Sequence, residues 1–410
     1  MIKDKFSLAD NPLKYRNFRF FLLGHFISFI GTWIQQVAQV WLVYELTGSS
    51  FYLGVFTFFN AFPMMILSLL GGMIIDTFDR RKLLMLVVFF AMFPPIILGF
   101  LTQTGKIGFW TITFLGFLSG CFAAIDTPLR QVFISEIVPI KILVKAISFQ
   151  SLSFNAARMI GPLIGAFLLS QKKIYLCFYL NALSFLPLFF FLAFFIRPSV
   201  STEARSQPQS KRTAFKEALV YLKENSNLLV VLFLVASFTF FGPSLLVLLP
   251  VIVKQFYHGG GKEFGFMSST VGAGAILGAL SVIVRTTMKD KLKNLLAGIT
   301  LFCVSILVIS INHEWYLTLA CLVLIGFAFT NFFPVANSYV QENTPSRLRG
   351  RVMSLFVTAF LGIYPIGNLF VGFLAEHIPV RLILAIYPIV LFFLGFYLIN
   401  LAKSREKSII

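Results

Sequence analysis

Residues 155–165 read Asn-Ala-Ala-Arg-Met-Ile-Gly-Pro-Leu-Ile-Gly and lie in the middle of a long apolar run. Arg158 is near the centre of this run, where a charged side chain costs about 2.5–3.5 kcal/mol in a membrane helix. We therefore expect a membrane helix whose charge faces a partner or a water-filled cavity. Gly161, Pro162 and Gly165 follow on the same helix, and small residues let another helix approach closely. The stretch predicts a bendable, closely packed helix beside a polar interior.

The whole chain shares this apolar character. Of its 410 residues, 58% are hydrophobic and 12% are charged, and the mean hydropathy is +0.87. These values exclude a soluble globular domain and indicate an integral membrane protein. Residues 1–19 are largely polar, and the apolar run after them is too long for a secretory signal, so we expect the first span to be retained as an anchor.

Runs of about 20 apolar residues, the length that crosses a bilayer, occur twelve times along the chain. They cover residues 20–43, 51–75, 83–102, 109–129, 146–169, 174–196, 228–253, 264–284, 294–311, 315–340, 352–375 and 381–402. The termini and the segments after even-numbered spans hold most of the 34 lysines and arginines. This bias predicts that both termini lie in the cytoplasm. It also explains the net charge of +18 without nucleic-acid binding.

The two halves of the chain repeat each other. Superposing Gly72 on Gly278 also superposes further glycines, prolines, acids and cations, which apolar composition alone does not produce. These pairs are Gly120/Gly326, Pro128/Pro334, Glu136/Glu342, Pro139/Pro345, Lys141/Arg347, Lys145/Arg351 and Gly161/Gly367. The pattern predicts an all-α membrane protein of two six-helix bundles, related as a parallel repeat. Arg158 has Tyr364 as its counterpart, so this charge belongs to one half only.

The repeat also sets the predicted domains. Residues 1–196 form the first bundle and residues 228–410 the second. Residues 197–227 form a cytoplasmic linker that opens with a Ser/Gln/Pro-rich segment. Phe215 and Leu219 then keep helical spacing against charged residues, which indicates a helix lying on the membrane surface.

The segment between spans 2 and 3 reads Gly72-Met-Ile-Ile-Asp76-Thr-Phe-Asp79-Arg80-Arg81-Lys82. It resembles the corresponding loop of the major facilitator superfamily, although Asp79 replaces a glycine of that motif. The resemblance implies an inner gate, in which Asp76, Arg80 and Arg81 would hold the two halves together. Positive-inside anchoring of the loop is the alternative.

Further motifs narrow the resemblance to one branch. They are Ser28-xx-Gly31-x-Trp33, Asp126-Thr-Pro-Leu-Arg130-Gln131, Asn155-xx-Arg158-xx-Gly161-Pro162-xx-Gly165 and Gln341-Glu342-xx-Pro345-xxx-Arg349-Gly350-Arg351. Together they resemble the transmembrane secretion effectors, the branch with enterobactin exporters and macrolide-efflux proteins. The fifth-span motif is similar to one that marks exporters in the superfamily. The resemblance implies a coupling or gating role for Asp126, Arg130, Gly161, Pro162, Gly165, Glu342, Arg349 and Arg351.

Span 1 carries a polar stripe that includes Thr32, Gln35, Gln36 and Gln39. At about 100° per residue these side chains fall within one arc of the helix, which should not face lipid. They line a central cavity or hydrogen-bond to neighbouring helices, and we favour the cavity because span 1 lines it in the superfamily. His25, near the inner end of the stripe, is either a titrating group or a structural histidine with satisfied hydrogen bonds, and we favour the structural role.

Other intramembrane polar residues complete the candidate substrate site. They are Asn60 in span 2, Asn155 and Arg158 in span 5, Asn331 in span 10 and Tyr364 in span 11. The many phenylalanines offer a pocket for an aromatic cargo, although most membrane phenylalanines face lipid. Arg158, a cation that the other half of the repeat lacks, suits an anionic or catecholate-like cargo.

Intramembrane acids, which a proton-coupled transporter needs, are scarce. Glu45 and Glu376 lie at outer helix ends, and Asp126 lies near the inner end of span 4. Asp126 precedes Arg130 by four residues, so a structural ion pair competes with a proton-binding role.

These features predict a monomeric, proton-driven exporter of a small amphipathic or aromatic compound, drug-like or siderophore-like. Apart from the proton gradient, no cofactor is expected. No metal is expected either, because the four cysteines lie in apolar runs without metal-binding spacing. A lysophospholipid flippase or a nutrient importer on the same fold is the alternative. A membrane enzyme or receptor is more remote, because no hydrolase, metalloprotease or phosphate-loop motif is present.

Overall fold

A computed structural model describes residues 11–197, 217, 220–222, 225–284 and 290–407. At residues 68–76, 283–284, 346 and 403–407 it describes the backbone alone. Helices make up nearly all of this described part, and it contains no strand. The all-α class predicted from hydropathy is therefore confirmed.

Twelve helical segments of the described chain are long and apolar enough to cross a membrane, in the order that the sequence predicts. We number them spans 1 to 12. Their helices run over Arg16–Thr47, Ser50–Thr77, Arg80–Ala91 with Phe93–Gln103, Phe109–Ile137, Leu143–Ser170, Ile174–Phe190, Ser226–Phe241 with Leu249–Tyr257, Gly261–Val284, Lys291–Ile311, Trp315–Glu342, Ser346–Val357 with Ile363–His377, and Val380–Lys407.

Three spans are interrupted. Span 3 breaks at Met92, just before two prolines that lack the backbone N–H needed to continue the helix. Span 7 passes through a 3₁₀ turn at Pro243–Leu248, and span 11 through a π-helical turn at Thr358–Gly362. The helix of span 5 continues through Pro162.

Glycines show that the repeat is structural. A Cβ added to Gly120 in span 4 would lie 2.2 Å from the carbonyl oxygen of Asn60 in span 2. Its counterpart Gly326 in span 10 meets the carbonyl oxygen of Val271 in span 8 at 2.0 Å. Only glycine allows helices to approach this closely. The same helix pair is therefore closely packed in each half.

A second glycine pair follows the same rule. In span 5, a Cβ on Gly161 would lie 2.5 Å from Cβ of Trp33 in span 1. In span 11, a Cβ on Gly367 would lie 2.8 Å from the carbonyl oxygen of Phe240 in span 7. Gly165 has more room, with its nearest neighbour at 3.6 Å.

The chain divides into two compact units. One comprises Met1–Thr47, Phe59–Arg205 and Gly260–Ser269, and the other comprises Gly48–Phe58, Ser206–Gly259 and Thr270–Ile410. Each unit thus includes a short segment from the other half of the sequence. The predicted linker helix falls mainly outside the described residues, of which 217 and 220–222 are helical.

Candidate functional site

The most deeply buried charge of the described chain is in the first unit. Asp126 and Arg130 lie one turn apart on span 4, and both carboxylate oxygens approach Nε of Arg130 at 2.8 Å. The Arg130 side chain is 1% exposed. The ion pair expected from the spacing of four residues is therefore present, and it is buried.

Span 1 presents one turn of helix to this guanidinium group. Nη1 of Arg130 donates to Oγ of Ser28 at 2.7 Å and lies 3.3 Å from Nδ1 of His25. The ring centroid of Phe29 lies 5.2 Å from Cζ of Arg130, within the range of a cation–π contact. These neighbours follow one another on the helix face that packs against span 4, so they surround a single cation.

The contact with Arg130 determines the tautomer of neutral His25. A guanidinium nitrogen only donates hydrogen bonds, so Nδ1 must accept and the ring proton must be on Nε2. Within the described residues Nε2 is buried and has no hydrogen-bond partner. An unsatisfied buried donor costs free energy. His25 is therefore not the fully satisfied histidine that the sequence predicts.

A cavity of about 430 Å³ lies beside this cluster. The lining residues come from spans 1, 2, 4 and 5 and combine polar groups with aromatic and aliphatic ones. They are His25, Phe29, Met64, Thr127, Arg130, Gln131, Ile147, Gln150, Ser151 and Phe154. The volume and mixed lining are typical of a small-molecule site.

The predicted polar stripe of span 1 divides into two sets. Gln35 is buried, accepts a hydrogen bond from Nδ2 of Asn181 in span 6 at 2.8 Å, and contacts Gln39. Thr32 and Gln36 are exposed, and Thr32 donates to the carbonyl of Ser28 in its own helix. The amides of Gln35 and Asn181 therefore join two helices, which was the alternative to cavity lining.

The other predicted substrate residues with amide side chains hydrogen-bond to backbone carbonyls. Asn60 donates to the carbonyl of Gly116 in span 4, and Asn331 donates to the carbonyl of Gly278 in span 8. Asn155 donates to the carbonyl of Ser151 within span 5.

Arg158 and its counterpart Tyr364 are both half-buried. Arg158 lies over Trp33 of span 1, with Cζ 5.4 Å from the ring centroid. Tyr364 belongs to the second unit. The opening stretch is thus closely packed on span 1 through both Gly161 and Arg158.

The predicted gate residues of the first half contact neighbouring helices within the first unit. Arg80 forms an ion pair with Glu136 at 2.8 Å. Arg81 donates to the carbonyls of Leu192 and Ala193, in the π-helical turn Phe191–Phe195 that follows the span 6 helix. Asp79, which departs from the superfamily motif, accepts from the backbone N–H of Lys82 and caps span 3. The side chain of Asp76 lies outside the described residues.

The gate residues of the second half also have partners. Glu342 pairs with Lys291 of span 9, and Arg349 donates to the carbonyl of Gln341. Arg347 and Arg351 both bind Glu217, which precedes span 7. Hydrogen bonds from Arg347 and Arg351, in that order, hold the pKa of the Glu217 carboxyl below its usual value.

Sequence reasoning identified Asp126 and Arg130 but missed their surroundings. Ser28 and Phe29 in span 1 and Gln150 and Phe154 in span 5 complete the site. One signal was available, because His25, Ser28 and Phe29 share a helix face. It did not reveal which helix that face contacts.

Comparisons with known proteins agree with the architecture. The family model described as transmembrane secretion effector matches residues 7–408. The staphyloferrin A transporter of Staphylococcus aureus (strain NCTC 8325 / PS 47) is 26% identical over 375 residues, covering 87% of this chain and 89% of its own. The enterobactin exporter of Shigella flexneri is 24% identical over 341 residues, covering 83% and 80%.

A solved structure is similar over almost the whole chain. A bacterial homolog of the human lysosomal transporter Spinster, in an inward-facing and unoccupied conformation, has a TM-score of 0.72. The alignment covers 96% of this chain and 98% of that one at 14% identity, so the likeness concerns the fold. The predicted major facilitator fold and the predicted branch are both confirmed.

Proposed function

This chain belongs to the family of transmembrane secretion effectors, and we propose that it exports a small amphipathic or aromatic compound. The proposed cargo is drug-like or siderophore-like, because relatives are named for staphyloferrin A and for enterobactin. The family and these relatives are transporters, so the chain is a transporter rather than an enzyme. Parallel six-helix repeats favour transport by alternating access.

The cavity beside Arg130 is the observation that carries the proposal. Burying a guanidinium group in a membrane span costs free energy unless the group is fully paired. Charged residues within membrane spans commonly mark a substrate or ion pathway. Here it lines about 430 Å³ of space together with phenylalanines and amides. A cavity of this kind accommodates an amphipathic cargo, whose polar part and apolar part need different walls.

Coupling to protons is part of the proposal. Asp126 is the intramembrane acid proposed to bind the proton. It contacts Arg130 on span 4, and Arg130 in turn contacts His25 on span 1. Protonation of Asp126 would remove its ion pair with Arg130 and bias the helices toward another arrangement. We further propose a monomer in the inner membrane with both termini in the cytoplasm, as the basic residues favour.

Reconstitution in vesicles tests the function. The purified protein is placed in vesicles with an imposed pH gradient, and siderophores, macrolides, dyes and lysolipids are screened for movement. We expect movement of at least one siderophore or drug, lost when an uncoupler collapses the gradient. Empty vesicles are the blank, and Asp126→Asn should transport without dependence on the gradient. Lipid movement that ignores the gradient would instead indicate a flippase, and inward accumulation an importer.

Arg158 gives a second test of the same proposal. Arg158→Ala should abolish transport while folded protein remains in the membrane, because the cation is proposed to contact the cargo. Arg158→Lys, which keeps the positive charge, is the matched control and should retain transport. Loss of folded Arg158→Ala protein would assign Arg158 to packing on Trp33.

A further inference from the structure

We propose that the cavity beside Arg130 binds an oxyanion, and that the cargo is an amphipathic anion whose carboxylate or similar group contacts this guanidinium. The inference rests on the proposed export function, because it names the chemical class of cargo for the same site.

The guanidinium is only partly engaged by its own carboxylate. Asp126 approaches Nε, whereas the terminal nitrogen Nη1 contacts Ser28 and His25. A guanidinium group presents five donors in a planar fork and binds a carboxylate with two parallel hydrogen bonds. Ser28 and His25 engage the two N–H groups of Nη1, so the donors left for a ligand are the two N–H groups of Nη2. Arg130 lines the cavity, so a cargo oxyanion that enters can bind Nη2.

The groups around Arg130 add donors. Ser28 accepts from Arg130 and donates to the carbonyl of His25, so its hydroxyl proton is already engaged and the added donors come from other side chains. Neutral His25 carries its proton on Nε2, which has no acceptor among the described residues. Side chains of Thr127, Gln131 and Gln150 also line the cavity and can donate. An acceptor-rich ligand matches this set, whereas a cation would meet a buried positive charge.

Aromatic and aliphatic side chains form the rest of the wall. Phe29 and Phe154 meet edge to face, with ring centroids 5.0 Å apart. Met64 of span 2 and Ile147 of span 5 complete an apolar surface. Such a surface buries a ring system, and the aromatic edges, which carry partial positive charge, tolerate a neighbouring anion. The ligand should therefore combine an oxyanion with a ring.

Three probes of matched shape test the charge requirement. They are 2-naphthoate, neutral 2-naphthamide and cationic 2-naphthylmethylammonium, and their binding to the full chain in lipid nanodiscs is measured by titration calorimetry. We expect 2-naphthoate to bind at least about tenfold more tightly than the amide, because bonds to ionised groups are roughly twice as strong as neutral ones. The cation should bind most weakly. Equal binding of acid and amide, or no binding of 2-naphthoate at 1 mM, overturns the proposal.

Two substitutions assign the effect to the cluster. Arg130→Gln should weaken 2-naphthoate binding at least about tenfold and leave 2-naphthamide binding within about twofold. Asp126→Asn removes the competing carboxylate and should strengthen 2-naphthoate binding, which general damage to the fold would not do. If Asp126→Asn weakens binding of the acid, Arg130 is not the anchor. Thermal unfolding of each variant accompanies these measurements.

A third variant serves if Arg130→Gln does not fold. Ser151 lines the cavity and is exposed, so Ser151→Trp fills the space without removing a buried group. It should abolish binding of 2-naphthoate and of 2-naphthamide, and unchanged binding would place the site elsewhere.

Binding and vesicle transport are independent measurements. If the protein discriminates acid from amide but moves no cargo, the anion site stands and the proposed export function is wrong. If it moves cargo but binds acid and amide equally, only the proposed anion site is wrong.

Discussion

The two halves of this transporter share a helical plan but differ in what fills their cores. In span 4, Asp126 and Arg130 form a buried ion pair. Under the repeat, their counterparts in span 10 are Phe332 and Ala336, both fully or almost fully buried. Phe332 packs on Phe238 with ring centroids 4.1 Å apart. The same position in the fold is therefore charged in one half and aromatic in the other.

The partner helices differ in the same way. His25 and Ser28 of span 1, which contact Arg130, correspond to Val231 and Leu234 of span 7. Both aliphatic side chains are fully buried. The halves therefore differ in the whole cluster around Arg130 and not in a single residue. Because the second half has apolar residues at these positions, the fold does not require the polar cluster. A role of the cluster in binding cargo is therefore compatible with the fold.

What the halves retain is the closely packed framework. Arg80 pairs with Glu136 where span 3 begins and span 4 ends, and Lys291 pairs with Glu342 where span 9 begins and span 10 ends. The glycine contacts at Gly120 and Gly326 are likewise shared. Close backbone packing is set by steric limits that both halves must meet.

The largest effect is expected when the charged pair of the first half is removed, because the second half has apolar residues at these positions. Asp126→Ala leaves a buried guanidinium group unpaired and should cost about 3–5 kcal/mol of folding free energy. The double variant Asp126→Leu/Arg130→Met replaces the pair by apolar groups and should be near neutral or stabilising. Thermal unfolding in detergent measures both. Transport should be lost in the double variant; a transporting double variant would show that the polar cluster has no role in function.

Glycine substitutions test the shared framework. Gly120→Ala and Gly326→Ala each push a methyl group against a backbone carbonyl and should each cost about 1–3 kcal/mol. Gly165→Ala and Gly298→Ala are matched controls, because their nearest neighbours lie at 3.6 and 3.8 Å. The controls should unfold at the wild-type temperature. Unequal effects at Gly120 and Gly326 would argue against equivalent packing in the two halves.

A smaller effect is expected where an amide pair replaces an aromatic pair. Gln35 and Asn181 are hydrogen-bonded at 2.8 Å, and their counterparts Phe241 and Tyr387 pack with ring centroids 5.2 Å apart. Gln35→Leu should cost about 0.6 kcal/mol, the average for interhelical hydrogen bonds in a membrane protein, and at most about 1.7 kcal/mol. A double-mutant cycle with Asn181→Leu isolates the pair. Zero coupling energy would leave Gln35 available for the predicted cavity-lining role.

The smallest effect should come from the carboxylate that binds Arg347 and Arg351. Because these cations lower the folded-state pKa of Glu217, its stabilisation is complete above the unfolded-state pKa and disappears as pH falls through the folded value. Glu217 is exposed, so Glu217→Gln should lower the unfolding temperature only slightly at neutral pH. The wild-type and variant curves should converge in acid. A difference that persists in acid would exclude the ion pairs as its cause.

Hydropathy, charge and the internal repeat predicted the twelve spans and the all-α class, and short motifs carried the resemblance to the superfamily. They succeed because a bilayer imposes a length and a polarity on every spanning helix, and both can be counted residue by residue. Spacing along one helix also predicted the pair Asp126–Arg130, since residues four apart always share a face.

Tertiary structure alone decided the partners of each polar face. His25 and Gln35 belong to one stripe in the sequence, yet His25 contacts span 4 and Gln35 contacts span 6. The rotation of a helix and the identity of its neighbours depend on packing between segments far apart in the chain, which no local periodicity records. For the same reason Arg158, prominent in the sequence, lies against Trp33, whereas Arg130 lines the cavity.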